Sequence, residues 1–170
     1  WIAKAMKARV LILRGEGTDY TDVVTITTDI IDNGPYELEE HVEDIFNTKG
    51  LTSKEVMLGI QPLANQTARY GTYWQEYNSM AMYTAMPSFM SLIENDPRKD
   101  WMLIAQKRYN DPTLTDYGIV KGISGNKKEE SIAIRLTEMY LLKAEAIVLS
   151  GGKLEDAKNL LKTVSGHAGI

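Results

Sequence analysis

The sequence predicts a mainly α-helical fold, with a helical hairpin at each end of the chain and an irregular, partly β-stranded region between them. Apolar residues recur at helical spacing over residues 1–34 and again over 131–164, and a glycine-containing turn divides each stretch in two. Residues 35–130 instead combine short strand candidates with turn dipeptides. No long linker interrupts the 170 residues, so we expect a single region over 1–170.

The first hairpin is predicted as a helix over 1–14 and a second over 19–32, separated by a glycine pair around Glu16. In the first helix, the apolar stripe expected to face the core is Ile2, Met6, Val10 and Leu13. In the second helix, it is Tyr20, Val23, Val24, Ile30 and Ile31. Three threonines lower the helix propensity of the second segment, so tertiary packing has to stabilise it.

The last hairpin repeats this design, with helices predicted over 135–149 and 154–164 on either side of a Ser-Gly-Gly turn. Its helical stripes are Leu136, Met139, Tyr140 and Lys143, then Leu154, Ala157, Leu160, Leu161 and Val164. Lys143 can follow its stripe with the aliphatic stem while its ammonium reaches water. The two hairpins can be aligned, and each spans about the 34 residues of a tetratricopeptide-like pair. Such a pair cannot bury its apolar face alone and must stack on a neighbour.

Within the central region, residues 55–60 are a strand candidate and residues 119–121 a weaker one. Turns are expected at 95–97 and 110–112, and a polar loop at 124–130.

Composition excludes several classes of function. Nineteen basic residues against 23 acidic ones give a net charge of −4, so a nucleic-acid partner is not expected. With no cysteine, the chain has no disulfide, thiolate zinc site or catalytic thiol. Its longest strictly apolar runs are four residues long, far short of the ~20 that span a bilayer.

The strongest binding candidate is an aromatic-rich stretch over residues 69–78. Sugars present flat C–H faces that stack on aromatic rings, while their hydroxyl groups need amide and charged partners. The predicted ligand-binding residues are Trp74, Tyr70, Tyr73, Tyr77, Asn78 and Arg69. The alternative is that these rings pack the central region onto the helices, with their polar tips hydrogen-bonded.

Other chemistry-bearing residues are interpreted as structural. The methionines near Phe89 (Met80, Met82, Met86 and Met90) are expected to fill the core rather than bind copper. The acidic run Glu39, Glu40, Glu43 and Asp44 is expected to be a solvated face rather than a glycosidase pair. His41 and His167 have no metal or triad spacing, so neither a metal nor a catalytic residue is predicted.

Two further sets of charges are expected to form contacts within the protein. Asp96 and Arg98 are predicted to form a loop-stapling ion pair, and Glu138 and Glu145 to bond to neighbouring helices.

Five ordered motifs resemble those of the SusD/RagB family of outer-membrane nutrient-binding lipoproteins. The most specific is RLTEMYLLKAEA at 135–146, similar to the family's RLaEmYLikAEA, followed by the Gly151-Gly152 turn and a "DA…L" helix at 156–160. The others are AKAMKARVL at 3–11, SKEVM at 53–57 and DPR at 96–98. One departure is VSGHAG at 164–169, where members often carry two arginines.

The resemblance implies an internal or truncated portion of a SusD-like protein, with a non-enzymatic role and no cofactor. It implies that the protein binds oligosaccharide at the surface of a Gram-negative outer membrane and delivers it to a SusC-like TonB-dependent transporter. It also implies that any membrane association comes from a lipid anchor outside this chain, and it places glycan-contacting aromatics between the SKEVM and DPR elements.

Two other functions remain open at this stage. The helical hairpins could form a protein–protein interaction module that binds a peptide on one face, as solenoids do. An enzyme is disfavoured because no nucleophile, metal cluster or acid/base pair stands out in the sequence.

Overall fold

The computed structural model describes residues 1–61, 83–108, 111–119, 121 and 130–170. Four long helices dominate these residues: α1 (Ile2–Arg14), α2 (Asp19–Asn33), α6 (Leu136–Leu149) and α7 (Leu154–His167). The central elements are α3 (Val42–Asp44), a π-helical turn (Ile45–Lys49), a 3₁₀ turn (Gly50–Thr52), β1 (Val56–Ile60), α4 (Pro87–Leu92), α5 (Lys99–Met102), β2 (Leu103–Arg108), β3 (Asp111–Ile119) and β4 (Ser131–Arg135). The mainly α fold with a partly stranded centre is therefore confirmed.

The long helices pack in the order α1, α2, α6, α7, so the two predicted hairpins lie side by side with α2 against α6. The first hairpin turns at Gly15, which adopts a left-handed φ of 64° and donates its N–H to the Leu11 carbonyl at 3.0 Å. A Cβ at this position would also lie 2.4 Å from the Tyr20 hydroxyl oxygen. Glycine is therefore favoured here for its conformation, and a larger residue would also require the Tyr20 side chain to shift.

The main core lies where α1, α2 and α6 meet the β1–β4 sheet. Its buried residues are Ala5, Ile30, Met57, Ile134, Leu136 and Met139. A second cluster, farther along the helices, consists of Ala8, Leu11, Val23 and Ala146. The central sheet is thus attached to the helical scaffold by shared apolar packing.

The predicted core stripe of α1 is wrong. Its members are exposed to solvent: Ile2 by 37%, Met6 by 53%, Val10 by 62% and Leu13 by 86%. The buried face of α1 instead carries Ala5, Ala8 and Leu11. Two apolar stripes run along this helix, and the one with the smaller side chains lets the neighbouring backbones approach closely.

The remaining helical predictions are confirmed in most respects. Val23 and Ile30 of α2 are fully buried, and Leu136 and Met139 of α6 are at most 2% exposed. In α7, however, only Ala157 is buried, while Leu154 and Leu161 are about half exposed. Helix α7 also continues three residues beyond the predicted end, to His167.

Two antiparallel two-stranded sheets occupy the described part of the centre. β1, which was predicted, pairs with β4, and Ile60 lies opposite Ser131. β2 pairs with β3 in register from Leu103↔Ile119 to Lys107↔Thr115. Asp111, which was assigned to a turn, begins β3, and the weak strand prediction at 119–121 coincides with the strand's last residue. The turn at 95–97 is confirmed. In the described residues, no helix is long and apolar enough to cross a membrane.

Candidate functional site

The predicted ligand-binding residues Trp74, Tyr70, Tyr73, Tyr77, Asn78 and Arg69 lie outside the described residues, as do Met80 and Met82. In the sequence, the segment that contains them lies between the end of β1 at Ile60 and Tyr83. Two residues later, Ala85 donates its backbone N–H to the Tyr117 carbonyl of β3 at 2.7 Å. The binding role of this segment stays a prediction, but the elements to which both its ends connect are defined.

An aromatic pair in the described residues was not singled out from the sequence. Phe46, in the π-helical turn, stacks on Trp101 of α5 with ring centroids 5.7 Å apart and an angle of 12° between the planes. Both side chains are half-buried. Near-parallel rings that keep part of their surface in solvent supply the apolar component of a ligand site.

Two cationic groups approach the Phe46 ring. The Lys121 ammonium lies 4.4 Å from its centroid, and the guanidinium carbon of Arg135 lies 5.2 Å from it. Cations at this range are attracted to the negative face of an aromatic ring. Lys121 follows β3 and Arg135 ends β4, so Phe46 joins the two sheets at this point. We call Phe46, Trp101, Lys121 and Arg135 the ring–cation cluster.

The charges around the cluster are unequally compensated. Arg135 donates to the Glu55 carboxylate at 3.2 Å, and Arg98 bonds to Asp96 at 2.6–3.2 Å. The predicted Asp96–Arg98 pair is thus confirmed, and its hydrogen bonds lower the pKa of Asp96 to about 2. Lys121 forms no ion pair within the described part of the chain. Its pKa is lowered by partial desolvation and then by the positive charges of Arg135 and Arg98.

A buried carboxylate holds Arg135 in place. The Glu55 side chain is 1% exposed and accepts hydrogen bonds from the Glu39 backbone N–H at 3.1 Å, from Arg135 and from the Thr137 hydroxyl. These donors replace the water that burial removes, which is the condition for keeping a charge inside a protein. Glu55 therefore orients the guanidinium that faces Phe46.

Glu39 does not belong to a solvated face, contrary to expectation. It is 8% exposed and accepts hydrogen bonds from the Ser53 hydroxyl at 2.7 Å and from the Lys49 ammonium. Burial raises the pKa of Glu39, but the bonds from Lys49 and Ser53, the charge of Lys49 and a backbone bond from Lys54 lower it, so the pKa is lowered overall. The sequence showed a charge run, whereas the fold turns one member inward to tie the 39–53 loop together.

The other sequence candidates have structural positions. Glu138 pairs with Arg9 of α1, as predicted, whereas Glu145 is exposed and forms no ion pair within the described residues. The imidazole Nδ1 of His167 lies 2.6 Å from the Glu39 carbonyl oxygen, and His41 is exposed. Met86 is 68% exposed, while Phe89 and Met90 are half-buried. No group of three or more potential metal ligands occurs in the part of the chain that the structure describes.

A concave surface lies on the helical scaffold, in a groove of about 690 Å³ between α2, α6 and α7. Its lining is mixed, with Val24, Ile147 and Leu160 beside threonines and Asn159. The size falls within the usual range for small-molecule sites. This groove is the structural counterpart of the peptide-binding alternative.

The sequence from residue 46 to residue 170 matches the model of the SusD family. The chain belongs to this family. The matched range contains the ring–cation cluster and the predicted aromatic segment, and the first hairpin precedes it. Among curated proteins, none matches the sequence.

Solved structures of SusD superfamily proteins share the fold of this SusD-family chain. A protein from Bacteroides thetaiotaomicron superposes with a TM-score of 0.78 at 19% identity, over 98% of this chain and 40% of its own. One from Bacteroides fragilis gives 0.67 at 17% identity, over 96% and 44%. B. fragilis NanU gives 0.53 at 17% identity, over 95% and 44%. The chain thus spans less than half the length of these proteins.

Proposed function

We propose that this SusD-family chain binds oligosaccharide or polysaccharide during nutrient uptake and does not cleave it. The observation that carries the proposal is the family match over 46–170, which includes the predicted aromatic segment. The superposition of the helical hairpins on SusD superfamily structures supports it. Trp74, with the tyrosines around it, would stack on sugar rings, while Asn78 and Arg69 would bond to hydroxyl groups.

The proposal extends to the cell. The chain would act at the surface of a Gram-negative outer membrane and deliver its ligand to a SusC-like TonB-dependent transporter. A lipid anchor outside this chain would supply the membrane attachment. These steps are supported by family membership alone.

Fluorescence and calorimetry test the binding step, because the chain has three tryptophans, Trp1, Trp74 and Trp101. We expect a neutral glycan from a panel of soluble polysaccharides to quench the emission of the wild type. Trp74→Ala should remove the response and weaken binding at least tenfold by calorimetry. Trp1→Ala, at an exposed position before α1, is the matched control and should bind normally. Full affinity in Trp74→Ala would contradict the assignment of the site.

A protein–protein interaction module is the second candidate, favoured by the groove between α2, α6 and α7. Asn159→Arg would place a bulky charge in this groove. If the variant lost a partner protein that the wild type retains, while Trp74→Ala retained that partner, the module would replace the glycan-binding proposal.

A further inference from the structure

The ring–cation cluster carries more positive charge than its described surroundings compensate. Lys121 and Arg135 lie over the Phe46 ring, and the positive charges of Arg135 and Arg98 act on Lys121. Asp96 and Glu55 bond directly to Arg98 and Arg135, although the positive charges of both arginines still act on Lys121. The ammonium of Lys121 is left with a ring as its neighbour and no carboxylate among the described residues. It is also exposed, so a ligand can reach it.

A ring contact alone is a weak substitute for an anion. A cation–π contact stabilises an ammonium group less than a charge-assisted hydrogen bond to a carboxylate does. Partial desolvation is the main cause that lowers the pKa of Lys121, and the positive charges of Arg135 and Arg98 lower it further. A carboxylate bound here would relieve the repulsion that the two arginines exert on the ammonium.

The aromatic pair determines which kind of anion fits. A free inorganic anion gains nothing from the half-buried Phe46 and Trp101 rings, whereas a sugar ring with a carboxylate substituent offers a C–H face and a charge together. We propose that Lys121, beside the Phe46–Trp101 stack, binds the carboxylate of an acidic saccharide of the uronate type. This inference rests on the proposed glycan-binding function and adds the chemical class of the ligand.

The test compares one oligosaccharide with and without its charge. An oligogalacturonide of defined length and its fully methyl-esterified form differ in carboxylate charge at nearly constant size. By calorimetry at low salt, we expect the wild type to bind the acid at least tenfold more tightly than the ester. Lys121→Gln should abolish this preference. Lys107→Gln is the matched control, because Lys107 is an exposed lysine on the adjacent strand β2 with no ion pair among the described residues.

Each outcome decides between the two proposals. If the preference for the acid is lost in Lys121→Gln and kept in Lys107→Gln, the inference is supported. Preference that survives in Lys121→Gln overturns the assignment to this residue. Equal affinity for acid and ester, together with binding of neutral glycans, overturns the acidic-ligand inference and leaves glycan binding intact. If no saccharide of either kind binds, both proposals fail.

Discussion

Glu55 shows how a single buried residue organises the candidate site. Its carboxylate connects three segments: the backbone at Glu39, the end of β4 at Arg135 and the first turn of α6 at Thr137. A buried carboxylate with this many donors stabilises the particular arrangement of its neighbours. If the carboxylate is removed, the buried donors have neither water nor a protein acceptor to bond to. The position of Arg135 over Phe46 therefore depends on a residue that touches neither ring.

We expect Glu55→Ala to lower the free energy of unfolding by about 3 kcal/mol, because it strands a half-buried guanidinium, a hydroxyl and a buried N–H. The matched control is Glu37→Ala. Glu37 pairs with Lys54 at 2.8 Å, but both side chains are about two-thirds exposed. Such surface pairs contribute about 0–1 kcal/mol. Urea unfolding at pH 7 measures both values, and similar losses for the two variants would contradict the role given to Glu55.

At the scale of the elements, the two hairpins close their turns by different means. Arg14, the last residue of α1, donates to Asp19, the first residue of α2, at 2.6 and 2.8 Å. Asp19 also accepts the Glu16 backbone N–H at 3.0 Å. No ion pair spans the 150–153 turn of the second hairpin, all of which is described. The bonds from Arg14 and then Glu16 lower the pKa of Asp19 to about 2, from an ordinary value of 3.8.

This shift predicts how the first hairpin responds to acid. A carboxyl group whose pKa is lower in the folded state stabilises that state above its unfolded pKa, and the contribution is lost as the pH falls toward the folded value. The stability gap between wild type and Asp19→Asn should therefore be largest above about pH 4 and should shrink as the pH falls toward and through about 2. Asp22→Asn, at an exposed acid on the same helix, is the control and should show little gap. Denaturation curves from pH 7 to pH 2 measure this, and a gap that persists unchanged at pH 2 would contradict the assignment.

The elements also show what local patterns can and cannot determine. Helical spacing located α2 because its apolar residues form one dominant stripe. Helix α6 is apolar over most of its surface, which is why Leu141 and Val148 stay about half exposed there. Strand β4 was missed because its alternating pattern at Ser131–Arg135 runs directly into the helical motif that follows. The β2–β3 hairpin was missed because Asp111 and the proline after it are typical of turns, and pairing with β2 overrides that local preference.

At the scale of the whole molecule, the ring–cation cluster could not be predicted because its members meet only in the folded chain. Phe46, Trp101, Lys121 and Arg135 come from four different segments, and no spacing rule connects them. Trp101 follows the Asp96–Arg98 element by three residues, but nothing in the local sequence indicates that it stacks on Phe46. By contrast, the family and its fold followed from short motifs, because each motif is contiguous.

Helix α1 lies at one side of the row of long helices, and its exposed apolar stripe affects how this chain associates with other molecules. Its outward stripe of Ile2, Met6, Val10 and Leu13 extends over about three turns with no described residue covering it. Contiguous exposed apolar surface of this kind promotes contact with other molecules. We therefore expect this 170-residue chain to self-associate as its concentration rises, with the midpoint of association set by these side chains.

The double variant Val10→Gln and Leu13→Gln should shift this association to at least tenfold higher concentration in sedimentation velocity. Both side chains are more than 60% exposed, so the free energy of unfolding should change by less than about 0.5 kcal/mol. Leu92→Gln is the matched control, since Leu92 of α4 is 83% exposed but lies in a different element. If association weakens equally in the control, it is caused by the general hydrophobicity of the surface and not by the α1 stripe. Association unchanged in the double variant would show that the α1 stripe does not form the contact.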